Sequence, residues 1–108
     1  MKTLDKLDIG LSEETKHMIQ DVFKQAKKID QVILYGSRAK GNFKLGSDID
    51  LVMTGALTMS DQLLVDNLLD DLMLPYKIDL SLYSKIDNQD LKDHIERVGV
   101  IFYNKNDQ

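Results

Sequence analysis

The sequence contains no cysteine, a single proline and no long hydrophobic run. Without cysteine the chain forms no disulfide, no thiolate metal site and no cysteine nucleophile, which suits a reducing compartment. No segment reaches the roughly 20 apolar residues that cross a bilayer. Residues 1–10 alternate charged and apolar residues, unlike a secretory signal. We therefore expect a cytoplasmic protein that does not associate with a membrane.

Basic residues are outnumbered by acidic ones. The chain has 14 Lys and Arg against 18 Asp and Glu, a net charge of −4 and a pI near 5.0. An acidic surface repels phosphate backbones, so we do not expect nucleic-acid binding, although bound cations can reverse the sign at a local phosphate site. The length predicts one domain over residues 1–108, with its core between residues 11 and 103. So short a chain has little protein with which to enclose a site, which favours a partner subunit.

Helical and strand patterns alternate along the chain, which predicts an α/β or α+β fold with helices packed on a sheet. The predicted strands are Gln31–Tyr35, Ile49–Met53, Lys77–Leu82 and Val100–Tyr103. Helices are expected after Ser12, from Thr58 to Leu74 before Pro75, and from Asp87 to Val98. The expected buried face of the second helix consists of Leu63, Leu64, Leu68 and Leu72. Surface or boundary positions are expected for both histidines, His17 and His94, since neither has a partnering His or Cys nearby in the sequence.

Two aspartates, Asp48 and Asp50, stand two residues apart at the start of the second predicted strand. The alternation of side chains along a strand directs both carboxylates to one face. Asp79 lies opposite the apolar residues of the third predicted strand and so has the matching parity. If these strands are neighbours, three carboxylates meet on one face of the sheet. Like charges this close repel each other, and their oxygens suit a pair of Mg²⁺ ions roughly 3.5–4 Å apart.

The segment between the first two predicted strands combines glycine, serine and basic residues. Gly36 permits a close approach of the backbone, and freed N–H groups with the Ser37 hydroxyl can hold phosphate oxygens. Arg38 adds a side chain that can hold a phosphate bidentately. The segment is not a Walker A loop, because Gly41 is not followed by Lys and then Ser or Thr. The glycine spacing excludes a dinucleotide fingerprint, and the residues after Asp50 exclude an EF-hand.

The order Gly36-Ser37, ten residues, then Asp48-x-Asp50, with Asp79 on a later strand, resembles the DNA polymerase β-like nucleotidyltransferase superfamily. Within it, the chain is similar to the minimal bacterial form, the MNT domain, and the similarity extends over most of the sequence. The resemblance implies a polymerase β-like nucleotidyltransferase fold, with a mixed sheet of about four strands backed by helices. It also implies transfer of a nucleoside monophosphate, AMP from ATP, to a hydroxyl group with release of pyrophosphate.

The resemblance further implies a set of site residues, cofactors and partners. The implied catalytic and metal-binding residues are Asp48, Asp50 and Asp79. The implied nucleotide-binding residues are Gly36, Ser37 and Arg38. Two Mg²⁺ ions would be bound, with Mn²⁺ as an alternative, and Asp79 would also activate the attacking hydroxyl. The chain looks like the small subunits that work with a separate helical-bundle protein of the HEPN or substrate-binding type; in some toxin–antitoxin pairs the small subunit adenylylates a tyrosine of the toxin.

Two other functions are open on the sequence alone. The chain could be an antitoxin or regulatory subunit that masks a helical partner, with catalysis secondary or absent, although a pure binder has no physical need for three clustered acids. A metal-dependent glycosyl transferase also uses Asp-x-Asp. Such an enzyme does not require Gly36-Ser37 at the observed spacing, which argues against it.

Overall fold

A computed structural model describes residues 1–107 of the protein. The strands are β1 (Lys2–Thr3), β2 (Ile29–Tyr35), β3 (Ile49–Gly55), β4 (Ile78–Leu82) and β5 (Val100–Asn104). The helices are α1 (Glu13–Lys24), α2 (Gly36–Lys40), α3 (Met59–Asp70) and α4 (Gln89–Val98), and 3-10 turns follow at Tyr83–Lys85 and Lys105–Asp107. The strands form one sheet in the order β1-β5-β2-β3-β4.

The sheet is mixed. The β1–β5 and β3–β4 pairs are parallel, whereas β2 runs antiparallel to both of its neighbours, β3 and β5. The predicted class, a mixed sheet backed by helices, is therefore confirmed. The fifth strand is β1, whose two residues are too short to give an alternating pattern in the sequence. Among the helices of residues 1–107, none combines the length and the apolar character that a bilayer crossing requires.

The two faces of the sheet are covered unequally. On one face, Leu34, Leu51 and Leu80 stand side by side in register and belong to the larger core, which α1 and α3 cover. On the other face, a smaller apolar cluster joins Val52 of β3 to Ile95 of α4. Because α4 is the main cover on that second face, polar side chains at the end of the strands beyond it can reach solvent.

The second predicted helix is rotated relative to the prediction. Leu63 and Leu64 were expected to be buried, but they are 61% and 59% exposed, while Val65 and Leu69 occupy the core. The amide of Gln62 donates to the Leu80 carbonyl of the edge strand β4 (2.8 Å), which turns that side of α3 towards the sheet. Val65 and Leu69 follow Gln62 at helical spacing, so they lie on the side of the helix that faces the sheet and are buried. The prediction of the buried face was wrong at these two leucines.

The helix boundaries follow local capping. The Ser12 side chain caps α1, and Thr58 and Asp61 form a capping box at the start of α3, as their spacing predicted. Pro75 does not end α3: the helix stops at Asp70, and Met73 then takes a left-handed conformation with φ 56°. The start of α4 also differs from the prediction, because the helix is capped by the side chain of Asn88, which accepts from the N–H groups of Asp90 and Leu91, and not by Asp87.

Candidate active site

The predicted acidic residues meet where β2 ends and where β3 and β4 begin. Asp50 of β3 is paired in register with Asp79 of β4 on one side and with Tyr35 of β2 on the other. Asp48 lies just before β3, two residues before Asp50, and is close enough for its charge to act on Asp50. Asp48 and Asp79 are exposed and Asp50 is half-buried. The parallel pairing of β3 and β4 thus brings Asp79, which is distant in the sequence, beside Asp50 on one face, and Asp48 adds a third carboxylate close to Asp50.

The electrostatics of Asp50 reflect this crowding. Burial raises its pKa above the ordinary value of an aspartate, and the neighbouring Asp79 and Asp48 carboxylates raise it further. The positive charge of Lys77 lowers the pKa but does not cancel this rise. Burial likewise raises the pKa of Tyr35, which a hydrogen bond with Ser81 lowers and the nearby aspartates raise. The centre of the cluster therefore disfavours negative charge, and a cation bound there would relieve the repulsion.

Gly36 lies directly against Asp50 at the end of β2. Its φ of 74° is in the left-handed region, which favours glycine. A Cβ at this position would lie 3.3 Å from the Asp50 Cγ and would overlap its Oδ2. Any larger residue would therefore be strained twice, by its backbone conformation and by the carboxylate. Gly36 lets the turn into α2 approach the acidic cluster, and Ser37 is the next residue of that turn.

Gly36 and Ser37 differ in their hydrogen bonds. The Gly36 N–H donates to Nε2 of His94 on α4 (3.2 Å), so this amide already has a partner. Among residues 1–107, the hydroxyl of the half-buried Ser37 has no hydrogen-bond partner. Among the three residues predicted to bind the nucleotide, Ser37 thus offers a free donor, and Gly36 contributes the close approach of the backbone. His94 was expected to be a surface or boundary residue, and no sequence signal linked it to Gly36, which is 58 residues away.

Arg38 is placed differently from its prediction as a phosphate contact. Its side chain is 2% exposed, and the guanidinium carbon lies over the rings of Phe43 and Tyr76, 5.4 and 5.0 Å from their centroids. Nε and Nη2 donate to the Ser47 carbonyl (3.1 and 2.8 Å), and Nη1 donates to the Ile9 carbonyl (2.9 Å). The guanidinium therefore faces backbone carbonyls. It fixes the residue that precedes Asp48, and so acts on the site through the position of that loop.

The donor set suits a hard divalent cation. Carboxylate oxygens are the ligands that Mg²⁺ prefers, usually together with substrate phosphates and water. Asp50 and Asp79 supply such oxygens on one face and Asp48 adds others nearby, and the raised pKa of Asp50 marks a position that a cation would stabilise. Within the part of the chain that the structure describes, no three acidic or histidine side chains already surround one ion position. These three would have to adjust their side-chain torsions around an ion, which two exposed carboxylates can do.

Solved structures share this fold at low sequence identity. A toxin–antitoxin structure with AMP-PNP aligns with a TM-score of 0.67 at 18% identity, over 82% of this chain and 73% of that one. A tri-AMPylated HEPN toxin from Shewanella oneidensis in complex with its MNT antitoxin gives 0.63 at 17% identity, over 90% and 76%. The MntA–HepT toxin–antitoxin gives 0.62 at 17% identity, over 89% and 75%. These likenesses show a shared fold.

The sequence comparison identifies the family. No curated protein matches the chain. The family described as "Polymerase beta, Nucleotidyltransferase" matches residues 17–108, and that stretch contains the Gly36-Ser37 turn and all three clustered aspartates. The chain therefore belongs to the polymerase β nucleotidyltransferase family and is a nucleotidyltransferase domain.

Proposed function

We propose that this nucleotidyltransferase transfers AMP from ATP to a hydroxyl acceptor, with two divalent cations, Mg²⁺ or Mn²⁺, held by Asp48, Asp50 and Asp79. The observation that carries the proposal is the in-register pairing of Asp50 with Asp79, beside a glycine–serine turn that closes on Asp50. Such a group of acids is unfavourable in the free chain. It is useful where cations and a triphosphate must be bound together.

The position of each residue determines its proposed role in the reaction. Cations bound there would neutralise charge on the triphosphate and on the pyrophosphate leaving group. Asp50, the most enclosed of the three acids, and Asp48 hold the cation positions. The Ser37 hydroxyl donates to a phosphate oxygen of the nucleotide. Asp79 is exposed on the edge strand β4, where an acceptor can approach, so it orients the acceptor hydroxyl and takes its proton.

The bonds that change follow from this placement. The acceptor oxygen attacks the α-phosphorus in line with the pyrophosphate oxygen. The new oxygen–phosphorus bond forms as the bond to pyrophosphate breaks, and the hydroxyl proton passes to Asp79. The products are an adenylylated acceptor and pyrophosphate.

The proposed acceptor is a tyrosine of a separate helical, HEPN-type partner protein. Asp48 and Asp79 are exposed, so the acceptor side of the site is open and a second protein can supply its wall. One protein with this fold is an MNT antitoxin in complex with a tri-AMPylated HEPN toxin. That relationship also favours a second candidate, an antitoxin that neutralises its partner by binding, with catalysis secondary or absent.

The decisive experiment measures transfer to the partner that co-purifies with the chain from its native host. The complex is incubated with Mg²⁺ and ATP labelled at the α-phosphate, and the partner is analysed for label and for the added mass of AMP. Asp79→Asn should reduce the rate roughly 10³-fold, because transition-state stabilisation at such sites amounts to several kcal/mol. Asp71→Asn, an exposed acid at the end of α3, serves as the matched control and should leave the rate unchanged.

The outcomes separate the two candidates. If folded Asp79→Asn transfers AMP at the wild-type rate, the assignment of the acids is wrong. If the wild type binds and neutralises its partner without adding AMP, the binding-only antitoxin is correct. Nucleotide binding can be measured separately, because a ligand that binds only the folded state raises the melting temperature. No shift with Mg²⁺ and ATP would also favour the binding-only candidate.

A further inference from the structure

We propose that His94 is a positioning residue for the nucleotide site: its uncharged imidazole holds the Gly36 N–H and so fixes the Gly36-Ser37 turn against Asp50. The inference rests on the proposed function, since it names a residue that controls the geometry of that same site. It also predicts that the turn is set correctly only while the ring is neutral.

The geometry is specific to two consecutive residues of the turn. Nε2 of His94 accepts the hydrogen bond from Gly36 (3.2 Å), and the ring packs edge-to-face on Tyr35, with centroids 6.1 Å apart and an interplanar angle of 84°. One side chain from α4 thereby holds both the last residue of β2 and the first residue of α2. Tyr35 occupies the N-cap position of α2, but its side chain makes no capping hydrogen bond.

The turn needs an acceptor from elsewhere in the chain. The first N–H groups of any helix lack partners within the helix. Side chains that normally accept from them stand at the N-cap, and Tyr35 cannot do this for α2. His94 supplies the missing acceptor to Gly36 from a different helix. Because Gly36 touches the Asp50 carboxylate, a rotation of its peptide would move the turn relative to the acidic cluster.

Protonation would remove this contact. A neutral imidazole has one accepting nitrogen, whereas an imidazolium carries an N–H on both nitrogens and cannot accept. Burial lowers the pKa of His94, and the positive charges of Arg97 on its own helix and Lys40 on α2 lower it further. On β2 the ring faces Tyr35, an uncharged phenol whose own pKa is raised. The surroundings of the ring therefore favour its neutral form, so that His94 protonates at a lower pH than an ordinary histidine.

Two variants separate hydrogen-bond acceptance from ring packing. His94→Gln places an amide oxygen near the position of Nε2 and cannot titrate. His94→Phe keeps a ring against Tyr35 but has no acceptor. His17 is the only other histidine and lies exposed on α1, so His17→Gln is the matched control.

The first measurement is NMR of the full chain and does not require catalysis. Imidazole nitrogen shifts should show His94 in the tautomer with a proton on Nδ1 and none on Nε2. The amide resonance of Gly36 should move with the titration of His94 in the wild type and in His17→Gln, and should not titrate in His94→Gln. If the Gly36 amide does not respond to the titration of His94, the proposal is overturned.

The second measurement is the pH profile of AMP transfer by the complex of chain and partner. The wild type should lose rate at acid pH as His94 protonates, and His94→Gln should keep its neutral rate and lack that acid limb. His94→Phe should lose about tenfold at neutral pH, the effect expected of one hydrogen bond. An acid limb that persists in His94→Gln, or a wild-type rate in His94→Phe, overturns the proposal. Should His94→Phe not fold, the glutamine variant and the NMR titration still decide. A wild type that transfers no AMP would refute the proposed function alone, because the NMR reading stands without transfer.

Discussion

Replacing Gly36 by alanine should destabilise the protein by more than the same replacement at Gly41 or Gly46, two glycines with a similar backbone conformation and open space around them. Gly36, Gly41 and Gly46 have φ values of 74°, 89° and 84°, so alanine at each would carry a comparable backbone strain of about 1–2 kcal/mol. The methyl group would meet nothing within 4 Å at Gly41 or Gly46, but it would overlap Oδ2 of Asp50 at Gly36.

The overlap with Asp50, which only Gly36→Ala creates among these three variants, determines how much more this variant is destabilised. Overpacking of this kind costs about 1–3 kcal/mol, which should add to the backbone strain only in Gly36→Ala. Urea unfolding of the three variants measures the free energies directly. In thermal unfolding, each 1 kcal/mol should correspond to about 4–8 °C for a domain of this size. Gly41→Ala and Gly46→Ala are the internal controls, since they carry the strain without the overlap.

A double-mutant cycle with Asp50→Ala identifies the partner. Removing the carboxylate removes the atoms that the new methyl group would overlap. In the Asp50→Ala background, Gly36→Ala should therefore cost no more than Gly41→Ala, which gives a coupling energy of about 1–3 kcal/mol. Equal costs for Gly36→Ala and Gly41→Ala in the wild-type background, or no rescue by Asp50→Ala, would refute the contact between the turn and the acid.

Two further predictions concern the loop that carries the acids and the charge of the cluster. Arg38→Met should cost about 3 kcal/mol or more in urea unfolding, because it leaves the carbonyls of Ser47 and Ile9 without their donors. Lys44→Met, which changes an exposed residue of the loop after α2, should stay within about 0.5 kcal/mol. Equal effects of the two substitutions would contradict the role of Arg38. Because the folded-state pKa of Asp50 is raised, this group stabilises the fold below its unfolded pKa and loses that contribution as the pH rises through the raised value. Asp50→Asn should therefore reduce the dependence of the free energy of unfolding on pH, measured between acid and neutral pH in the presence of a chelator. An unchanged pH dependence would contradict the effect of burial and of the neighbouring carboxylates on Asp50.

The sequence predicted those parts of the site that depend on the alternation of side chains between the two faces of a strand. Asp48, Asp50 and Asp79 alternate with apolar residues, and the core accepts those apolar residues only when the acids face outward. The parity of each strand could therefore be derived from the sequence. That β3 and β4 are neighbours is a matter of topology, which the local pattern does not contain and which only the resemblance to a family implied.

The contacts that the sequence did not predict are made by side chains reaching across the fold. In the sequence, a basic residue directly after Gly36-Ser37 is expected to bind phosphate. The burial of Arg38 instead depends on carbonyls and rings contributed by other segments. The bond from Gly36 to His94 joins residues 58 positions apart. Leu63 and Leu64 look like core residues of α3, but the bond between Gln62 and β4 decides which side of the helix faces the sheet.

These long-range contacts explain how so small a chain can hold an acidic site in place. The cluster itself opposes folding, since like charges and partial burial raise the pKa of Asp50. Two polar side chains hold the segments on either side of it: Arg38 fixes the approach to Asp48, and His94 fixes the turn before Ser37. Each acts through backbone atoms of the segments that carry the acids and the serine, at the edge of the sheet where the proposed cations and triphosphate would enter. Binding of these ligands would then remove the repulsion, so that the folded state of the chain is most stable when the site is loaded.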